Sequence, residues 1–77
     1  MNYPNGKKVM VGDRLKLWED CVGVVVCSMD DDEYTAVYPR DNWAYLSSGV
    51  MIDCDLAGLI HYTTPEDSFE LIERSTP

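Results

Sequence analysis

Residues 11–28 read VGDRLKLWEDCVGVVVCS, and these residues give the clearest indication of the fold. In residues 11–18 leucines alternate with basic residues, which is the period of a half-buried strand. Residues 19–20, Glu-Asp, predict a turn. The following segment, Cys21–Ser28, is rich in valine and apolar on both faces, as is typical of a central strand. Within it, Gly23 predicts a bulge or a sharp bend.

The sequence after residue 48 predicts three more strands separated by turns. The third strand covers residues 49–55, the fourth covers residues 59–62 and the fifth covers residues 68–74. Strand periodicity turns the apolar residues of the third strand inward. Its outward side chains are then Met51, Asp53 and Asp55.

Five short strands with no long helix predict an all-β fold. The strand number and lengths favour a small SH3-like barrel, because an immunoglobulin sandwich needs about seven strands. The length of 77 residues allows one domain, residues 1–77, with a modest core.

Between the second and third strands lies a long loop, residues 29–48. Pro39 interrupts any regular element in it, and Asp41 could cap one short helical turn that runs through Trp43 and Leu46. Long insertions in compact domains are often functional.

The net charge is −8, and the charges are unevenly distributed. Between Lys16 and Arg74 the chain holds thirteen of its fourteen acidic residues and a single base, Arg40. This pattern argues against nucleic acid and against an anionic membrane as partners, because both require clustered lysines and arginines. Two interpretations remain open: a solvated acidic surface, and a negative face for a basic protein.

The amino-terminal residues lack the apolar segment of a signal peptide, and no apolar run is long enough to span a bilayer. We therefore expect a cytoplasmic protein. Three cysteines are an odd number and too few for a disulfide framework, so we expect reduced, buried thiols.

No pattern in the sequence predicts an enzyme, a metal site or a cofactor. Three cysteines and His61 would suffice for zinc, but their spacing fits no zinc module. The only histidine, His61, is expected to be structural or at the rim of a site, with a hydrogen bond to a partner as the alternative. The acidic run at residues 30–33 lacks the spaced ligands of a calcium loop, and 77 residues seldom build the cleft that a pair of catalytic carboxylates needs.

The aromatic residues of the loop indicate binding most directly. Tyrosine and tryptophan are common in binding hot spots, and an acidic run beside them would suit a partner rich in lysine and arginine. The alternative for these rings is a lid packed over the barrel. The candidate partner-binding residues are Asp30, Asp31, Asp32, Glu33, Tyr34, Tyr38, Trp43, Tyr45, Asp53 and Asp55.

Residues 11–15 and 23–26 resemble the opening hairpin of KOW-type and other SH3-like barrels, although the basic residues with which KOW modules bind RNA are mostly missing. Together with residues 27–28, 43–46, 49–52 and 58–62, these segments also resemble the small acidic immunity proteins of bacterial polymorphic toxin systems, including type VI, Rhs and contact-dependent systems. That resemblance implies a basic cognate toxin, often a nuclease, whose active site this protein would occlude.

The alternative function is that of an SH3-like adaptor for basic or proline-rich peptides. The chain lacks the Ala-Leu-Tyr-Asp-Tyr opening and the Trp-Trp pair of that family. Exposed edge strands could also pair two copies into a homodimer.

Overall fold

In the computed structural model, which describes residues 1–74, five antiparallel strands form one sheet. The strands are β1 (Arg14–Trp18), β2 (Cys21–Ser28), β3 (Val50–Cys54), β4 (Gly58–Tyr62) and β5 (Glu70–Glu73). Their order across the sheet is β4-β3-β2-β1-β5. The predicted all-β class and the five strands are confirmed, with shorter first and last strands than the pattern predicted.

The sheet is open in the described residues. Its edges are β4 and β5, and no backbone ladder joins them within residues 1–74. Side chains do meet between the edges, because Tyr62 of β4 and Phe69 just before β5 pack edge to face with centroids 4.9 Å apart. Closure into a barrel, as the sequence predicted, is therefore not seen.

The main core lies on the inner face of the sheet. Alternation along the strands buries Leu15, Leu17, Val25 and Ile52 almost completely. A residue such as Leu15 contributes about 3 kcal/mol to stability, judged from leucine-to-alanine changes in other cores.

The amino-terminal residues complete this core, which the sequence did not predict. Asn2 and Lys8 form an isolated antiparallel bridge, and the turn between them is closed by backbone hydrogen bonds. Tyr3 and Val9 are thereby buried against the sheet strands. We call residues 1–9 the amino-terminal arm.

The irregularity in β2 is not at Gly23 as predicted. Gly23 pairs regularly with Leu15 on one side and Cys54 on the other, whereas the extra residue of β2 is Val26. Gly23 is required for packing instead, because a Cβ there would lie 2.6 Å from Ile52 Cγ2.

Residues 29–48 fold over the outer face of β2 and β3, and we call them the excursion. They contain a short helix, α1 (Arg40–Trp43), followed by a 3-10 turn at Ala44–Leu46, so the predicted helical turn is confirmed. Asp41 does not cap it. Pro39 holds the N-cap position with extended backbone, and Asp41 lies in the first turn.

A second, smaller hydrophobic cluster forms beneath the excursion. It consists of Cys27, Met29 and Met51, with Val26, Tyr34, Tyr38, Trp43 and Leu46 packed against them. Met51 points away from the main core, as predicted, but it is buried rather than exposed. Strand alternation gives a side chain its direction and does not show what covers that face of the sheet.

The expectation of three reduced cysteines is wrong for two of them. Cys21 and Cys54 form a disulfide between β2 and β3, and Cys27 is free and buried. The two bonded residues are 33 positions apart and meet because of the strand register, which cysteine counting could not anticipate.

Candidate protein-binding surfaces

The acidic run at residues 30–33 forms a tight turn in which most charges have partners. Asp31 lies 3.2 Å from the Lys8 ammonium group, and Asp32 pairs with Arg40. Asp30 accepts a 2.9 Å hydrogen bond from the Gly49 amide.

Basic residues that are distant in sequence therefore neutralise much of this turn. The Met1 amino nitrogen lies 3.5 Å from Asp30, while Glu33 is exposed and has no salt bridge within residues 1–74. The acidic run is thus a weaker negative site than the sequence suggested.

Most of the aromatic residues of the excursion serve as a lid. Tyr34, Tyr38 and Trp43 are half-buried in the second cluster, and the rings of Tyr38 and Trp43 lie 5.8 Å apart. Thr35 fixes the excursion to β2 by donating a 3.1 Å hydrogen bond to the Val26 carbonyl.

Tyr45 differs from these rings. It is 74% exposed, so it alone of the four is free for a large contact. Val37, in the same excursion, is 78% exposed.

A second candidate surface lies on the outer face of the sheet at β3. Register places Asp53 between Val24 of β2 and Leu59 of β4, and both of these apolar side chains are partly exposed. Asp55 and Leu56 follow in the β3–β4 turn, where Leu56 is 70% exposed. We call these five residues the β3 surface.

The turn between β1 and β2 extends this surface. The Cys21–Cys54 disulfide joins the start of β2 to the end of β3, so Glu19 and Asp20 lie at the same end of the sheet as Asp55. Trp18, at the end of β1, is 39% exposed there.

The charges of the β3 surface differ from those of the acidic turn. No lysine, arginine or amino-terminal nitrogen of residues 1–74 lies within salt-bridge distance of Asp53 or Asp55. Across the sheet, Val24 of β2 pairs with Asp53 on one side and with Arg14 of β1 on the other, so one strand separates Arg14 from Asp53.

The structure does not bring the ten predicted site residues together. Asp30–Glu33 lie beyond the Val50 end of β3, and the rings of Tyr34, Tyr38 and Trp43 pack near that end around Met51, whereas Asp55 follows the other end. Five strand steps separate Val50 from Asp55, or about 16 Å. The ten predicted site residues therefore spread along the length of β3.

A buried carboxylate that the sequence analysis did not single out is the most enclosed polar group. Asp13 has no exposed surface and accepts hydrogen bonds from the Tyr3 hydroxyl at 2.7 Å and the Met10 amide at 2.9 Å. Arg74 donates to both of its oxygens, at 3.0 and 3.2 Å.

Burial alone would raise the pKa of Asp13, but the hydrogen bonds from Arg74, Tyr3 and the Met10 amide together lower it. With its oxygens already engaged, Asp13 holds the amino-terminal arm to the carboxyl end of β5. This is a structural role.

Two further reactive groups, His61 and Cys27, have structural surroundings. His61 donates a 2.8 Å hydrogen bond from Nε2 to the Ser48 carbonyl, which ties β4 to the end of the excursion. Burial raises the pKa of the Cys27 thiol, so its reactive thiolate is disfavoured. In the described part of the chain, no three histidine, cysteine, aspartate or glutamate side chains are arranged to hold a metal ion.

A groove of about 450 Å³ runs between the amino-terminal arm and β5. Polar and charged groups line much of it, among them Lys16, Asp67 and Glu70, and the Lys16 ammonium lies 3.6 Å from the Glu70 carboxylate. Its charges are thus partly paired.

None of the helices within residues 1–74 has the length and apolar character needed to cross a bilayer. Neither protein-family models, nor curated proteins, nor solved structures match this chain.

Proposed function

We propose that this chain is a non-catalytic protein-binding domain that docks a basic protein through the β3 surface. The observation that carries the proposal is the position of Asp53 and Asp55. Both carboxylates are exposed, lack a cationic partner within residues 1–74, and lie among exposed apolar side chains.

Charged and apolar groups contribute differently to binding in such an interface. Unpaired carboxylates raise the local concentration of a cationic partner and speed its encounter. Exposed apolar groups such as Val24, Leu56 and Leu59 supply the area that loses water in the complex. The acidic turn contributes less because Lys8 and Arg40 already neutralise part of it.

The specific form of this proposal is an immunity protein that neutralises a basic toxin by occluding its active site. The support is the resemblance of the sequence to such proteins and the net charge of −8. Carboxylates such as Asp53 and Asp55 would then stand where a nuclease holds substrate phosphates.

The proposed location is the cytoplasm, where reducing thiols would oppose the Cys21–Cys54 bond. Thiol trapping in intact cells reports which state the protein has there. The bond lies beneath the β3 surface, and its state does not change the charge of Asp53 or Asp55.

The test begins with the native complex. The tagged chain is crosslinked in its own cells, the bound protein is identified, and its association with the purified chain is measured. We expect a basic partner whose association rate falls about tenfold for Asp53→Asn/Asp55→Asn and falls steeply with added salt.

Glu33→Gln is the matched control, because it also removes an exposed, unpaired carboxylate but lies on the acidic turn. Its association rate should stay close to that of the unchanged protein. An acidic partner, or a larger effect of Glu33→Gln than of the double variant, contradicts the proposal. Binding only of a proline-rich peptide would instead support the adaptor function.

The immunity role has its own test. The chain is co-expressed with the basic protein recovered from the crosslinked complex, and cell survival is scored. We expect the chain to restore growth and the Asp53→Asn/Asp55→Asn variant to protect less. A lack of protection by the unchanged chain would remove the immunity role and leave protein binding to be judged by the association rates.

A further inference from the structure

Strand β4 is an edge strand without the features that normally prevent edge pairing. It pairs with β3 on one side over all five residues in a regular register without a bulge. On the other side, no backbone group of Gly58–Tyr62 bonds any described residue. In an antiparallel strand alternate residues direct their amide and carbonyl groups away from the paired neighbour, so these groups form a free template.

The composition of β4 also allows it to pair with another strand. Its residues are Gly-Leu-Ile-His-Tyr, with no lysine, aspartate, glutamate or proline. Edge strands that avoid association usually carry such residues. Ile60 and Tyr62 pack against the main core yet are only half-buried, so a neighbouring strand would complete their burial.

The other edge is protected in the usual way. β5 is a four-residue strand with Glu70 and Glu73 at its ends, and its pairing with β1 is interrupted by an irregularity. Antiparallel pairing of β5 with a second β5 would bring the Glu70 and Glu73 carboxylates of the two copies close together. Like charges directly opposite each other destabilise a strand pair.

We infer that β4 is a self-association edge, through which two copies of this chain pair antiparallel about a two-fold axis at Ile60 and form a continuous ten-stranded sheet. The occupant is a second copy because the charges permit it. The chain has a net charge of −8, but β4 carries no acidic side chain. Two β4 strands can therefore pair without placing like charges opposite each other.

The register has a further advantage. A two-fold axis at Ile60 places Tyr62 of one copy across from Gly58 of the other. An aromatic ring can cover the backbone that an edge glycine leaves exposed. The Leu59 side chain then lies opposite His61 of the second copy on the outer face, and the interface is isologous.

This inference does not depend on the proposed function, since it concerns the free backbone of β4 and needs no foreign partner. The neighbouring Asp53 lies one strand inside the edge and faces Leu59 of its own copy. Charge removal at Asp53 and Asp55 should therefore leave self-association unchanged.

Sedimentation equilibrium of the full chain over a wide concentration range tests the inference. We expect the apparent mass to rise from the monomer to twice that value. Leu59→Lys places a charge opposite His61 of the second copy and should shift the midpoint at least about tenfold to higher concentration. Ile72→Lys, the matched change on the β5 edge, should leave the midpoint unchanged.

Hydrogen exchange on the unchanged protein provides a second measurement that requires no variant. Alternate amides of Gly58–Tyr62 should be protected only at concentrations where the dimer forms. A monomer at all concentrations overturns the inference. So does a dimer that resists Leu59→Lys or dissociates on Ile72→Lys, and so does concentration-dependent protection confined to β5.

Discussion

At the scale of single residues, Asp13 joins parts of the chain that are far apart in sequence. Its carboxylate accepts hydrogen bonds from the amino-terminal arm through Tyr3, from Met10 and from Arg74. A buried charge is tolerated in this way only when hydrogen bonds and an opposite charge replace water. Removal of one member then leaves the others unsatisfied.

Asp13→Asn should lower the free energy of unfolding by about 3 kcal/mol, because Arg74 loses its carboxylate partner while the Tyr3 hydroxyl stays buried. Urea unfolding followed by fluorescence measures this change. Asp41→Asn removes an exposed carboxylate from α1 and should change the free energy by less than about 0.5 kcal/mol. Equal effects of the two substitutions would show that the Asp13 network is not a stabilising centre.

The same carboxylate predicts how stability depends on pH. The folded protein lowers the pKa of Asp13, so the unfolded chain binds the proton more readily than the folded one. The stability that Asp13 contributes is therefore present above about pH 4, the pKa range of an unfolded aspartate, and is lost as pH falls through the lowered folded value.

Unfolding measured from pH 7 downward checks this sign. The difference in free energy between the unchanged protein and Asp13→Asn should be constant near neutrality and shrink in acid. A difference that grows on acidification would contradict the assignment of a charged Asp13.

At the scale of elements, the Cys21–Cys54 bond fixes β2 to β3 next to the β3 surface. It closes a loop that contains the whole excursion, so it reduces the freedom of the unfolded chain considerably.

Reduction, or the double change Cys21→Ser/Cys54→Ser, should lower the free energy of unfolding by about 3–4 kcal/mol. Thiol titration in denaturant should detect one thiol before reduction and three after it, since Cys27 is free. Three reactive thiols in freshly purified, unreduced protein would show that the bond is absent.

The sequence predicted elements well where one pattern controls them. The alternation before Trp18 and the apolar run Cys21–Ser28 correctly indicated a hairpin with a central second strand. The amino-terminal arm was missed because Tyr3 and Val9 are isolated apolar residues among polar ones. Their burial depends on tertiary contacts with the sheet, and hydrophobic periodicity along the sequence does not predict such contacts.

The surroundings of the proposed binding residues were harder to predict for the same reason. Charge counting along the chain could not show that Lys8 and Arg40 come back to the acidic turn. Strand alternation, in contrast, correctly placed Asp53 on the outer face of β3. The exposed neighbours Val24 and Leu59 were missed because they depend on register between three strands.

At the scale of the whole molecule, two groups of negative charge differ in whether they have cationic partners. One, at the acidic turn, is partly neutralised by bases from the amino-terminal arm and α1. The other, Asp53 and Asp55 at the β3 surface, has no cationic partner within residues 1–74 and lies beside exposed apolar side chains. Long-range attraction of a cationic partner should therefore act at the second site.

Titration of a lysine-rich peptide into the ¹⁵N-labelled chain, followed by amide chemical shifts, tests this claim most directly. We expect shifts centred on Val24, Asp53, Asp55 and Leu59, which fade as salt screens the attraction. The turn at Asp30–Glu33 should change little. Shifts centred on that turn, or no shifts at low salt, would contradict the account.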